Sequence, residues 1–415
     1  MALTYFNLEK EHVINHYRFK PLKDGFLLTN DFGFWVYLSK EEFDLVRHDK
    51  IEENQALFSL LKEKGFVLTQ DNADKLVDDF RQRSMHLFRG TYHHVIFLDD
   101  EKFDEGNIKK IVDFIVQSPS RELIVKFKGR LLENFEVIGK FAEELKKTGK
   151  SVQFSIELGL ESISYELVEF LISNKFDVWI ALDNIKIPEN TFELIKQLQR
   201  RHRVNFYLDV SDDILGKEQE IVDFFAENNF RSFFARKAKG VTKDDFMDFW
   251  KKTIDYAYNI NKKNQRTVFN ERFASILLNK ITNADDVFYP ELGNFCTGAV
   301  ISELGYILNG DIFANEESIG IELFKMGNIS QSYNDVASDE EALALISSSI
   351  NSSPFMEMNV FKPYIGNCPV CSYMENGNII GKSTSERTLI LTKMFDYLFE
   401  RILFDKDFLK FILPV

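Results

Sequence analysis

Cys368 and Cys371 form a C-x2-C turn inside GNCPVCSYMENG, and Cys296 is the only other cysteine among 415 residues. Thiolates at this spacing bind zinc or iron–sulfur clusters, but a closed zinc site takes four ligands and a catalytic one three plus water. Three outcomes are open: a zinc ion completed by a carboxylate, a water or a partner's residue; a partial or shared cluster; or a metal-free turn. Two complete clusters, each held by four thiolates, are excluded by the count. A second set of reactive groups falls at the ends of expected strands: Asp99, Asp100, Lys128-Gly129-Arg130, Glu157, Asp183, Asp209, Arg236 and Lys237. Such carboxylates supply a general base or hold a divalent ion, and Lys128, Arg130 and Arg236 bind an anion. The same charges also make an ordinary solvated rim, and nothing in their spacing selects a reaction.

The remaining composition narrows the class. The 41 phenylalanines, against 14 tyrosines and 3 tryptophans, suggest wide aromatic interiors. A net charge of −14 opposes binding to phosphate backbones, so no nucleic-acid partner is expected. No run approaches 18 apolar residues and the start, MALTYFNLEKEHVINHYRFK, lacks a secretory apolar core; no membrane partner and a cytoplasmic location are expected. In the reducing cytosol three cysteines are no disulfide framework. G-x-G-x-x-G, G-x4-G-K-[ST] and G-x-S-x-G are all absent. His93 and His94 are adjacent in a strand and point to opposite faces, which disfavours a shared metal.

Three regions position these groups. Residues 1–85 read as a small α+β unit: HYRFKPL, GFLLTN and FGFWVYL are strands separated by KDG and NDFG turns, with glycines free to take positive φ. Ser39 and Glu42 then form a capping box, NQALFSLLKEKG gives a second helix, and a wing-like strand follows, a winged-helix-like arrangement. With 12 basic against 15 acidic residues in this stretch, its exposed hairpin edge suits an extended peptide better than DNA. Phe34, Trp35 and Tyr37 lie on that hairpin, as peptide contacts or as core. Residues 86–265 alternate six β-rich runs, HHVIFLD to SFFARKA, with amphipathic helices, the pattern of right-handed βαβ units in a parallel sheet curled into part of a barrel. Residues 266–415 carry a hairpin, ELGYILNGDIFANEE, a Ser-rich connection with a short helix, the C-x2-C and a terminal docking helix.

This order of regions resembles the radical SAM enzymes with a SPASM extension that modify ribosomally made peptides. It is most similar to the B-type radical SAM maturase of the His-Xaa-Ser system in RFKPLKDGFLLTNDFGFWVYLSKEEF, SPSRELIVKFKG, GYILNGDIFANEE and FKMGNI. The resemblance implies a partial (β/α)6 TIM-like barrel preceded by a winged-helix-like peptide-recognition domain and followed by a SPASM-like domain. The SPASM frame survives without its ligands. Cys296 is followed by thirteen residues, Gly310, four residues and then Asn315, while Cys368-x2-Cys371 leads to Gly377 and Gly381 where cysteines belong.

The barrel departs further. Radical SAM chemistry needs a C-x3-C-x2-C loop after the first strand to hold a [4Fe–4S] cluster with one open iron. Here that strand runs into DDEKFDEGN, and the family's Gly-Gly-Glu-Pro turn corresponds to KGRLLEN, leaving Lys128, Gly129 and Arg130 as a degenerate S-adenosylmethionine turn. The resemblance therefore implies a pseudoenzyme with no catalytic residue and no barrel cluster, zinc remaining possible at Cys296, Cys368 and Cys371. Its partners would be a precursor peptide and a cognate active radical SAM enzyme. The alternatives are an enzyme reusing the barrel-mouth carboxylates, or a free-standing sensor or interaction protein.

Overall fold

The computed structural model describes residues 11–84, 90–98, 105–129, 135–202, 204–282, 302–350, 354–365, 368–379 and 385–413. The chain divides into two compact units: Met1–Phe88 with Ile276–Cys296 and Ser348–Lys406, and Arg89–Ser275 with Thr297–Ser347 and Asp407–Val415.

The first unit opens with strands β1 (Val13–Ile14), β2 (Tyr17–Leu22), β3 (Gly25–Asn30) and β4 (Trp35–Ser39), followed by α1 (Lys40–Arg47), α2 (Gln55–Glu63), β5 (Val67–Leu68) and α3 (Gln70–Ser84). β2, β3 and β4 form an antiparallel sheet, and β5, the wing-like strand of the sequence, pairs with β1. The expected capping box starts α1: the Ser39 N–H donates to Glu42 Oε2 at 2.8 Å and the Glu42 N–H to Ser39 Oγ at 3.2 Å. In the KDG turn it is Lys23, with φ 52°, that takes the left-handed conformation. Gly25 is needed for another reason, since a Cβ there would sit 2.4 Å from the Leu38 carbonyl. One face of the sheet packs Leu28, Val36 and Leu38 onto Phe43, Val46, Leu57 and Leu61 of α1 and α2. The other is covered by the helix Glu386–Phe404, which buries Met394, Phe395, Leu398 and Phe399.

The second unit is built on β6 (His93–Leu98), β7 (Glu122–Gly129), β8 (Ser151–Gly159), β9 (Asp177–Leu182), β10 (Val204–Val210) and β11 (Ser232–Lys237). These six strands, all present in the sequence pattern, are parallel and adjacent in chain order. β12 (Asn270–Glu271) extends the β11 edge; beyond β6 come β13 (Glu303–Ile307), parallel, and then β14 (Asp311–Phe313) and β15 (Lys325–Asn328), antiparallel. The hairpin expected after the barrel is thus an extension of its sheet. Helices between the strands present apolar stripes, as in Phe135–Lys146 with Val137, Ile138, Phe141, Ala142 and Leu145 buried.

The sheet is curled. Strands three positions apart in a flat sheet lie about 14 Å apart. Yet Glu157 on β8 touches Arg236 on β11 at 2.9 Å, and Lys126 on β7 lies 5.7 Å from the Tyr207 ring on β10. The face carrying these side chains is therefore concave. On the helix side phenylalanine does the packing: Phe225 meets the rings of Phe206, Phe233 and Phe230 at 5.2, 5.0 and 5.9 Å. The terminal segment read as one docking helix is divided. Its last part, Phe408–Ile412, belongs to the second unit, where Tyr258 meets Phe408 at 5.6 Å. Among the described residues no helix is long and apolar enough to cross a membrane.

Phe225→Ala is expected to lower unfolding stability by about 3–5 kcal/mol, because a fully buried ring leaves a cavity that its neighbours fill only in part. Urea denaturation followed by circular dichroism measures this, with Tyr165→Ala, an exposed position, as the near-neutral control.

Candidate functional site

The carboxyl ends of the parallel strands are where β/α sheets gather their chemistry, and here they carry an ion-pair lattice. Lys126 and Lys128 are two residues apart on β7, so both face the concave side. Asp209 and Arg236 are register partners on β10 and β11. Glu157 stands at the centre. Its carboxylate meets Lys126 Nζ at 2.7 Å, Arg236 Nη1 at 2.9 Å and Lys128 Nζ at 3.4 Å. Arg236 also grips Asp209 with both arms, Nε to Oδ1 at 2.8 Å and Nη2 to Oδ2 at 3.0 Å.

The sixth member comes from outside the barrel strands. Glu316 binds Lys128 at 2.7 Å and Lys126 at 2.9 Å. It opens the short turn Glu316–Ser318, capped by Asn315: the Ser318 N–H donates to Asn315 Oδ1 at 3.0 Å, and the Asn315 N–H to Ser318 Oγ at 2.9 Å. The Glu316 N–H in turn donates to Glu303 Oε1 at 2.6 Å. Asn315 thus caps the turn that holds Glu316 against the two lysines.

Three cations and three carboxylates leave this lattice with no net charge, and aromatic rings line it. The Arg236 guanidinium lies 4.1 Å from the centre of Tyr207, which stacks on Trp179 at 4.6 Å. Burial works against the charge on Glu157, but Lys126 and Lys128 outweigh it and hold the carboxyl down at about 2. For Lys126 burial is again opposed and outweighed, by Glu316 and Glu157, which raise it above the usual lysine range. Glu316 is lowered by the same two lysines against its burial. A carboxylate held this acidic is a poor general base at neutral pH, and three cations around it repel a divalent ion.

Beside the lattice is a cavity of about 300 Å³ lined by Phe97, Lys128, Ile307, Leu308, Glu316, Ile319 and Gly320. That volume is at the small end of ligand sites. Its two charged groups already bind each other. Gly129 closes the neighbouring backbone: its φ is +117° and a Cβ there would lie 2.2 Å from the Leu98 carbonyl.

The other residues singled out from sequence are placed as follows. Asp99, Asp100, Arg130 and Cys296 lie outside the described residues. Asp183 is exposed and bonded to Asn184, apart from the lattice, and Lys237 donates to the Val241 carbonyl. His94 is buried, which lowers it to about 3, and contacts the Tyr306 hydroxyl at 2.8 Å, while His93 meets Glu303 at 2.7 Å. In the first unit the Trp35 indole N–H donates to the Ile281 carbonyl at 2.9 Å and its ring meets Phe399 edge-on. Tyr37 packs edge-on against Phe404 and donates to the Leu22 carbonyl, and Phe34 packs against the α1–α2 core. Cys368 and Cys371 have sulfurs within 4.8 Å of each other. Sequence reasoning missed Lys126 and Glu316; the signal for the first was the Lys-x-Lys spacing inside ELIVKFKG.

No protein-family profile matches the chain, and no curated protein does. Solved structures do. anSMEcpe with bound AdoMet and the Kp18Cys peptide aligns with a TM-score of 0.61 at 16% identity, over 75% of this chain and 98% of that one. SuiB of Streptococcus suis bound to S-adenosylmethionine gives 0.53 at 16%, over 90% and 99%. SuiB bound to the precursor peptide SuiA gives 0.53 at 16%, over 89% and 98%. The fold is that of the radical SAM peptide maturases. No cysteine precedes residue 296, and Cys368 and Cys371 fall in the first unit, not in the one that holds the parallel sheet.

Glu157→Gln is expected to cost about 3–5 kcal/mol, since it leaves the buried Lys126 and the half-buried Arg236 with too few anions. The native lattice also makes stability pH-dependent. Glu157 has a folded value below its ordinary 4.5, so its contribution is present above pH 4.5 and is lost as pH falls toward about 2, to the extent of about 3 kcal/mol. Denaturant titrations across that window measure the loss, which Glu157→Gln should reduce, leaving the part that Glu316 contributes.

Proposed function

We propose that the protein is a non-catalytic peptide-binding subunit in ribosomal peptide maturation, working beside an active radical SAM enzyme. The observation that carries this is the neutral ion-pair lattice at the carboxyl ends of the barrel strands, in a chain without cysteines for the cluster. The fold supports the peptide half of the proposal, since structures sharing it were determined with peptides bound. The motifs resembling the B-type maturase of the His-Xaa-Ser system support a role in that class of peptide maturation. By holding the precursor close to its partner the protein raises the substrate's local concentration.

The peptide enters along β4. β2, the other edge of the three-stranded sheet, carries Pro21, which lacks an N–H, with Arg18 and Lys20 beside it. β4 reads WVYLS, without proline or charge, and among the described residues no strand pairs with its outer edge. The Trp35 and Tyr37 rings are engaged in packing, so the β4 backbone is the surface a peptide strand would meet. For the reading in which the mouth carboxylates run non-radical chemistry, Glu157 and Asp209 are each bound to a cation, while Asp183 is exposed and apart from them.

A synthetic precursor peptide should bind the full chain with a dissociation constant on the order of micromolar, about −8 kcal/mol. Amide hydrogen exchange should slow at Trp35–Leu38 when it does. Absence of binding at tens of micromolar, or protection confined to other segments, would sink this proposal.

A further inference from the structure

We propose that Cys368 and Cys371 are a redox-active dithiol, a site that exchanges with small disulfides and closes a Cys368–Cys371 bond. The proposal rests on the first unit alone and is independent of the peptide-binding reading. Cys368 is the N-cap of the helix Pro369–Asn376, and its Sγ accepts the Cys371 N–H at 3.4 Å. Cys371 is then the third helical residue. N-cap and third position are the two ends of a capping box, as Ser39 and Glu42 are in α1, and side chains there lean toward each other. Filled by cysteines, that geometry brings the two sulfurs within 4.8 Å. Pro369 at the first helical position fixes φ between them, so the pair is held by the backbone.

The surroundings separate the two roles. Cys368 is 6% exposed, whereas Cys371 is half-buried, so an incoming disulfide reaches Cys371 first. Arg387 Nη1 lies 3.7 Å from the Cys371 sulfur, which favours negative charge on that atom. Both residues are thiols in this structure.

The exchange balances with a dialkyl disulfide as oxidant. The Cys371 thiolate attacks one sulfur of the disulfide, forms a mixed disulfide and expels one thiolate. Cys368, its proton released to solvent, attacks the Cys371 sulfur, forms the internal bond and expels the second thiolate. The protein loses two electrons and two protons, and the disulfide becomes two thiols.

Full-length protein is equilibrated without oxygen in oxidised and reduced glutathione at rising ratio, then acid-quenched, alkylated and mapped by mass spectrometry. The peptide carrying Cys368 and Cys371 should become two hydrogens lighter and lose both alkyl groups, reversibly with dithiothreitol, while Cys296 stays alkylated. Cys368→Ser, which keeps a good N-cap, should trap glutathione on Cys371. The proposal fails if both cysteines stay alkylated at every ratio. It also fails if Cys371 remains unmodified in Cys368→Ser, or if the reduced protein retains one zinc per chain that blocks both alkylations.

Discussion

The second unit depends on one carboxylate. Glu157 sits on the concave face of a curled parallel sheet with three cations around it, and a buried anion there is tolerable only because each cation is in contact distance. The cations are tolerable for the matching reason, that Asp209 and Glu316 take up what Glu157 leaves. Removing Glu157 strands Lys126, and removing Lys126 strands Glu157 short of a cation, in a poorly solvated place. The lattice therefore demands its own geometry: the curl of the sheet, the β10–β11 register and the capped turn at Asn315 all have to be right together. A face that holds ligands in other β/α proteins is here filled by the protein's own side chains.

That filling joins the fold to the functional reading. A cluster-binding barrel keeps thiolates and an open coordination position at its mouth. In this chain the charged groups at the strand ends are partners for each other. In the first unit the sheet is covered on both faces, by α1 and α2 and by the helix Glu386–Phe404. Among the described residues no strand pairs with the outer edge of β4.

Much of this was legible in the sequence, and the rest was hidden for physical reasons. The six barrel strands stood out because β-branched and aromatic runs alternated with amphipathic helices, and Ser39 with Glu42 announced a helix start by purely local geometry. Lys126 did not stand out, because a lysine inside ELIVKFKG looks like an isolated exception until strand periodicity puts it on the face of Lys128. Glu316 could not be assigned at all: its partners are 188 and 190 residues away, and nothing local encodes that distance. Asp209 and Arg236 were each noted, but their pairing needs the strand register. Trp35 and Tyr37 were correctly located on a hairpin, while the helix that packs against them lies near the other end of the chain and leaves no mark on their local pattern.

The proposed non-catalytic role rests on charges at the barrel strand ends that pair with one another. The most direct measurement is anaerobic reconstitution of the full chain with iron and sulfide, followed by reduction in the presence of S-adenosylmethionine and quantification of 5′-deoxyadenosine. No deoxyadenosine above the protein-free control is the expected result. Its formation in proportion to the protein added would contradict the account.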